Sequence, residues 1–208
     1  GFASGADCIS RDKGPEGLIR DDGKKCHFES GAESILYAGH KVTISPNILF
    51  SLAHSTFAIE ICEDLWTPAP PSSYHALAGA DIIVNLSASN EVLMKHQYRK
   101  SLIGQQSART VSAYIYSSCG FGESTQDLVF AGSSMIYENG SLMAENERFT
   151  LGNSMITADI DVNKLHTLRQ QKSTYHLISP VGERDAELVK SYLRIPAGSG
   201  ADTDFNAR

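Results

Sequence analysis

The sequence predicts an α/β fold organised on parallel strands, and three stretches carry that prediction. In residues 57–61, Phe57, Ile59 and Ile61 alternate with Ala58 and Glu60, the period of a strand. Residues 81–86, Asp-Ile-Ile-Val-Asn-Leu, form a nearly continuous apolar run of the kind found in strands buried on both faces. Between them lies a segment long enough for one short helix, so the strand–helix–strand order implies parallel pairing. The third stretch adds a helix and a strand. Residues 90–109, rich in Lys, Gln, Arg, Leu and Met, suit a helix, and Val-Ser-Ala-Tyr-Ile-Tyr-Ser-Ser at 111–118 reads as the next strand.

The remaining elements follow in chain order. Residues 1–34 are rich in Gly, Asp, Lys and Arg, with turn signals at Gly14-Pro15 and at 21–25, and are expected to form a loop or short hairpin. Residues 37–50 read as two short strand pieces broken at Pro46, which has no N–H to give to a ladder. The proline-rich stretch 67–72 turns the chain after the first parallel strand. Ser72 or Ser73 is expected to cap a helix running to Ala78 and closed by Gly79, and Asn90 to cap the next one. Glu138-Asn-Gly140 joins the strands at 133–137 and 141–145 in a hairpin, because Asn-Gly supplies the positive φ angles of a two-residue turn. A last strand is expected at 155–162 and helices at 163–171 and 184–193. Residues 197–208 have linker composition. The chain thus divides into a loop-rich start (1–34), a main α/β domain (35–183) and a C-terminal helix and linker (184–208).

Composition narrows the function classes. The 208 residues are 41% apolar and 20% charged, enough for one ordinary core. A net charge of −6 with no basic block argues against a nucleic-acid surface. No apolar stretch has the length of a membrane span and no basic-then-apolar leader opens the chain, so a cytoplasmic location is expected. The cysteines, Cys8, Cys26, Cys62 and Cys119, are widely spaced without a C-x-x-C pair, which reads as reduced thiols. Seven scattered histidines offer no i, i+4 pair, so no metal site is expected.

The chemistry is placed at Cys62, where the strand 57–61 ends and Glu63, Asp64, Leu65 and Trp66 follow. The carboxyl ends of strands in open α/β sheets are where catalytic groups collect. A thiol is largely protonated at neutral pH, and two adjacent acids disfavour the thiolate further. A nucleophilic Cys62 therefore needs a base and a positive charge from elsewhere.

Residues 57–66, Phe-Ala-Ile-Glu-Ile-Cys-Glu-Asp-Leu-Trp, resemble the nucleophile segment of the glutamine amidohydrolase domain of NAD synthetases, a branch of the nitrilase superfamily. The resemblance extends in one register to Pro-Pro-Ser at 70–72, Asn-Leu-Ser-Ala-Ser at 85–89, Gly-Glu-Ser-Thr-Gln-Asp at 122–127, and Glu-Asn-Gly at 138–140 with Glu-Asn-Glu-Arg-Phe at 145–149. It implies an incomplete α-β-β-α sandwich of the nitrilase type, expected to be completed by a further segment or by a homo-oligomer. It also implies a cysteine enzyme that hydrolyses glutamine through a thioester, with Cys62 as nucleophile and Glu63, Trp66, Ser89 and Lys95 as glutamine contacts. At Lys95 relatives carry an arginine, so a bidentate grip on a carboxylate becomes a point charge.

The glutamate base and the lysine of the family triad map before residue 1, and the chain opens on Gly-Phe-Ala without a methionine. An N-terminally truncated fragment, inactive alone, is the expectation. The ammonia would pass to a synthetase domain that uses ATP, magnesium and deamidated NAD, none of which this chain is expected to bind. A free-standing nitrilase-family amidase and a non-catalytic scaffold module remain the alternatives. Cys119 and the loop at 122–127 have structural readings, the latter lacking the lysine of a phosphate loop.

Overall fold

A computed structural model describes residues 33–123, 127–176 and 188–197. The expected loop over 1–34 lies outside these but for its last two residues, as do positions 124–126, 184–187 and 198–208. Strands β1 (Glu33–Tyr37) and β2 (His40–Ile44) form a separate antiparallel hairpin turning at Ala38 and Gly39, both at positive φ. The main sheet has seven strands in the order β8 (Ser141–Glu145), β7 (Ser134–Glu138), β6 (Ala113–Ser118), β5 (Ile82–Ser87), β4 (Thr56–Ile61), β3 (Ile48–Ser51), β9 (Leu193–Pro196). β4 and β5, expected to be parallel, are parallel neighbours at its centre, and β6 pairs in parallel with β5 on the far side.

Register decides which side chains share a face. Ala58 pairs with Ile83 and Glu60 with Asn85, and these pair in turn with Tyr114 and Tyr116. That face is covered by α1 (Pro71–Leu77) and α2 (Lys95–Thr110), and the main core lies between, with Leu49, Leu65, Ile103 and Met135 joining it. On the other face Ile82 and Ala113 pack under α3 (Val162–Gln171) through Leu165 and Leu168. Arg169 anchors α3, donating to the carbonyls of Ala80 and Val111 and to the Asp81 carboxylate. A short helix α4 (Ser173–His176) follows. Nearer the carboxyl edge this face is open, with Ile59, Ile61 and Leu86 39%, 47% and 52% exposed. Among the described residues there is one such sheet; the second sheet of an α-β-β-α sandwich is not among them.

Several element boundaries differ from expectation, each for a local reason. Neither Ser72 nor Ser73 caps α1, which begins at Pro71, where a missing N–H costs nothing. The Ser72 N–H goes instead to the buried Glu60 carboxylate at 2.9 Å. Asn90 does not cap α2. That helix starts at Lys95 after Met94 in the left-handed region, φ 67°. No strand forms over 155–162: the Asp161 N–H donates to the Glu138 carboxylate rather than to a neighbouring strand, and Ile160 packs against the α3 cluster. The expected helix over 184–193 is helical at 188–190, but Leu193 opens β9, which pairs in parallel with the edge of β3.

The chain around β9 also fixes a buried histidine. His75 of α1 lies edge-on to Tyr192, with Nδ1 and the phenol oxygen 2.7 Å apart, and burial lowers its pKa from 6.5 to about 4. Below pH 6.5 the unfolded chain takes up this proton and the native state does not. Stability is therefore full above that pH and falls toward pH 4, by about 3 kcal/mol for a shift of this size. Denaturant unfolding at pH 7 and pH 4.5 is expected to show this acid-side loss in the wild type and its near absence in His75→Gln. An equal loss in both would assign the pH dependence elsewhere.

Candidate active site

The end of β4 makes a sharp turn. Cys62 opens a 3-10 helix, Cys62–Trp66, with φ 48°, a conformation that costs a non-glycine residue roughly 1–2 kcal/mol. Neighbouring contacts hold it there. The Asp64 carboxylate reaches back to accept from the Ile61 N–H at 2.8 Å, the Thr67 hydroxyl donates to the Asp64 carbonyl at 3.0 Å, and Leu65 is fully buried in the core. Of the two acids expected beside the thiol, Asp64 is thus spent on closing the turn, while Glu63 is exposed. The first N–H groups of such a helix have no intrahelical acceptor.

Parallel pairing brings the end of β5 beside this turn. A pocket of about 480 Å³ opens there, lined by Cys62, Glu63, Trp66 and Thr67 from the turn, by Ala88, Ser89 and Asn90 beyond β5, and by Lys95 from the start of α2. All five site residues expected from the sequence, Cys62, Glu63, Trp66, Ser89 and Lys95, meet in it. Ser87, at the end of β5, is turned into the protein with its hydroxyl buried. Trp66 forms a wall, its ring 5.4 Å from that of Tyr98. The Lys95 ammonium lies 5.4 Å from the Trp66 ring centroid and donates to the Asn90 side-chain oxygen at 2.9 Å. Desolvation and the nearby Arg99 charge lower the Lys95 pKa, against the opposing pull of Glu91, Cys62 and Glu63.

The arrangement offers a nucleophile on a strained turn, one anionic and one cationic side chain, and an aromatic wall. An amino-acid substrate has complementary groups: a carbonyl for the thiol and an α-ammonium and α-carboxylate for the two charges. Among the described residues, no group of three or more His, Cys, Asp or Glu is placed to hold a metal ion.

Glu60, two residues before the nucleophile, drew no role from the sequence although it sits in the same motif. Its side chain enters the core at 1% exposure. There it accepts from the Ser72 N–H at 2.9 Å, from Asn85 Nδ2 at 3.3 Å and from the Tyr114 hydroxyl. Desolvation raises its pKa. The signal was available: in an alternating strand, Glu60 falls on the face of Ala58 rather than with Ile59 and Ile61.

Cys119, directly after β6, is half-buried and not among the pocket-lining residues. Its N–H donates to the Ser87 carbonyl at 3.0 Å, and burial pushes its thiol pKa up. Within the loop 122–127, positions 124–126 lie outside the described residues.

Comparison with known proteins places this geometry in a class. A family model for carbon-nitrogen hydrolases matches residues 25–170, and the chain belongs to that family. A carbon-nitrogen hydrolase from Helicobacter pylori G27 shares the fold, with a TM-score of 0.53 over 83% of this chain and 57% of that one at 16% identity. Within the family, the sequence is similar to glutamine-dependent NAD(+) synthetases. The identity is 38% over 165 residues to that of Mycobacterium bovis, which is 78% of this chain and 24% of the relative. It is 40% over 158 residues to that of Mycobacterium leprae, 74% and 23%. A crystal structure of a glutamine-dependent NAD(+) synthetase from Cytophaga hutchinsonii superposes with a TM-score of 0.50 at 25% identity, over 59% of this chain and 19% of that one. The chain spans about a quarter of the length of the curated relatives it matches.

Proposed function

We propose that this chain is the glutamine-hydrolysing part of a glutamine-dependent NAD synthetase. The observation that carries the reading is the single pocket in which Cys62, at the end of β4, meets Glu63, Trp66, Ser89 and Lys95. The Cys62 sulfur, giving up its proton to a base, bonds to the γ-amide carbon of glutamine. The C–N bond of the tetrahedral adduct then breaks, ammonia leaves with the returned proton, and a thioester remains. Water attacks the thioester, releasing glutamate and restoring the thiol.

Four of the residues lining the pocket with Cys62 have roles in this scheme. Glu63 receives the α-ammonium, Lys95 the α-carboxylate, Ser89 a substrate hydrogen bond, and Trp66 packs along the aliphatic stem. The base and a second cation come, by the family pattern, from a glutamate and a lysine outside these 208 residues. ATP, magnesium and deamidated NAD act, in this reading, on a separate domain that consumes the ammonia. The open apolar stripe of Ile59, Ile61 and Leu86 supports a covering segment or second copy on that sheet face.

Alkylation tests the assignment. A diazo ketone mimicking glutamine, added to the intact enzyme, is expected to label Cys62 and no other cysteine, with protection by glutamine. Label found on Cys8, Cys26 or Cys119, or labelling that glutamine does not slow, would refute it.

A further inference from the structure

Beneath the pocket lies a cation that does not reach it. Arg99, one helical turn after Lys95 on α2, is 0% exposed and is not among the pocket-lining side chains. Its NH1 donates to the Glu91 carboxylate at 2.9 Å, and its guanidinium lies 5.8 Å from the Tyr116 ring centroid. Its Nε and NH2 are buried with no hydrogen-bond partner. A buried guanidinium left with unmet N–H groups costs stability. The ion pair with Glu91 is therefore its principal compensation, reinforced from outside by Arg148, 3.6 Å from the other Glu91 oxygen.

Glu91 belongs to the segment that forms the pocket wall. Ser89 and Asn90 line the pocket immediately before it, and the Glu91 N–H is itself held by the Val129 carbonyl at 2.7 Å. Asn90 in turn carries the hydrogen bond that aims Lys95. Arg99 thus grips, from inside the core, the strip on which two pocket residues stand and by which a third is directed.

We propose that Arg99 is a positioning residue of the pocket, fixing through Glu91 the wall that presents Ser89 and Lys95 to the carboxylate end of the substrate. This rests on the glutaminase reading for the identity of the substrate, but not for the geometry of the wall. Loss of Arg99 frees Glu91, lets Asn90 and Lys95 drift, and weakens ground-state binding without touching the thiol.

The test is the kinetics of glutamine hydrolysis by the intact enzyme carrying Arg99→Met. KM for glutamine is expected to rise about tenfold or more while kcat stays within about threefold, and Arg99→Lys, which can re-form a bond to Glu91, is expected to recover part of the KM. An unchanged KM, or a fall in kcat alone, overturns the proposal. Should Arg99→Met fail to fold, the isosteric Glu91→Gln carries the same expectations.

A second readout is independent of glutaminase activity. The rate of Cys62 alkylation by iodoacetate relative to iodoacetamide reports a cation held over the pocket. That ratio is expected to fall at least about threefold in Arg99→Met and in Glu91→Gln, and an unchanged ratio overturns the proposal even if no glutaminase activity is found. Absence of glutaminase activity in the wild type, with the ratio shifted as expected, would instead refute only the functional reading.

Discussion

On the proposed glutaminase reading, replacing Cys62 by alanine is expected to abolish glutamine use by the intact enzyme, with a loss on the order of 10⁶ in kcat, the scale seen when an acyl-transfer enzyme loses its covalent nucleophile. Synthesis from free ammonia should persist, because ammonia added to solution bypasses the thioester. The expected defect is therefore confined to one nitrogen source. No other pocket residue offers a substitute nucleophile: Ser89 and Thr67 carry unactivated hydroxyls, and Cys119 is not among the lining residues and has a thiol whose pKa burial raises. The positive φ at Cys62 is a cost that alanine shares with cysteine, so the variant keeps the turn. The measurement is glutamine-dependent against ammonia-dependent product formation in wild type and Cys62→Ala. Retained use of glutamine, or equal loss with both nitrogen sources, would overturn the role of Cys62.

The largest stability effect is expected at Glu60. Truncation to alanine removes the acceptor of the Ser72 N–H, of Asn85 Nδ2 and of the Tyr114 hydroxyl in a fully buried layer. Each unmet group costs about 1–3 kcal/mol, less whatever water recovers, so a total of roughly 3–5 kcal/mol follows. Denaturant unfolding of Glu60→Ala measures it, and a loss below about 1 kcal/mol would show that the cluster is not a hub. The pH dependence has its own sign. Burial raises the Glu60 pKa above 4.5, so as pH climbs past 4.5 the unfolded chain releases this proton before the native state does, and the native state loses stability with rising pH. His75 acts oppositely, removing stability as pH falls below 6.5. Glu60→Gln should flatten the first dependence while leaving the second. It should cost less than alanine, because its carbonyl oxygen still serves two of the three donors.

The strands at the sheet centre were legible because their information is local. Alternation at 57–61 and the apolar run at 81–86 are written within single strands, although the face of Ile59, Ile61 and Leu86 is the open one and the buried positions of β4 are Ala58 and Glu60, and Asn139-Gly140 encodes its own turn through positive φ. The same locality misled at the margins. Asn90 and Ser72 look like caps in sequence, but the first is drawn to Lys95 and the second to Glu60, partners that only the folded layers bring near. Strand β9 could not be read from its own residues, since what makes Leu193–Pro196 a strand is the unpaired edge of β3, more than 140 positions earlier.

By itself, then, the sequence determined the strand–helix–strand order and the position of Cys62 at a strand end, which follow from side-chain period and turn chemistry, while the family resemblance of its motifs supplied the four residues to be gathered around Cys62. Only the tertiary structure decided what those residues do not touch. It turned the Asp64 carboxylate back onto Ile61, sank Glu60 into the core and set Arg99 behind the wall that carries Ser89. The reason is physical. A buried charge must find its partners wherever packing puts them, and for Arg99 the partner lies eight residues earlier and for Glu60 as many as 54 residues away, separations that no local pattern records.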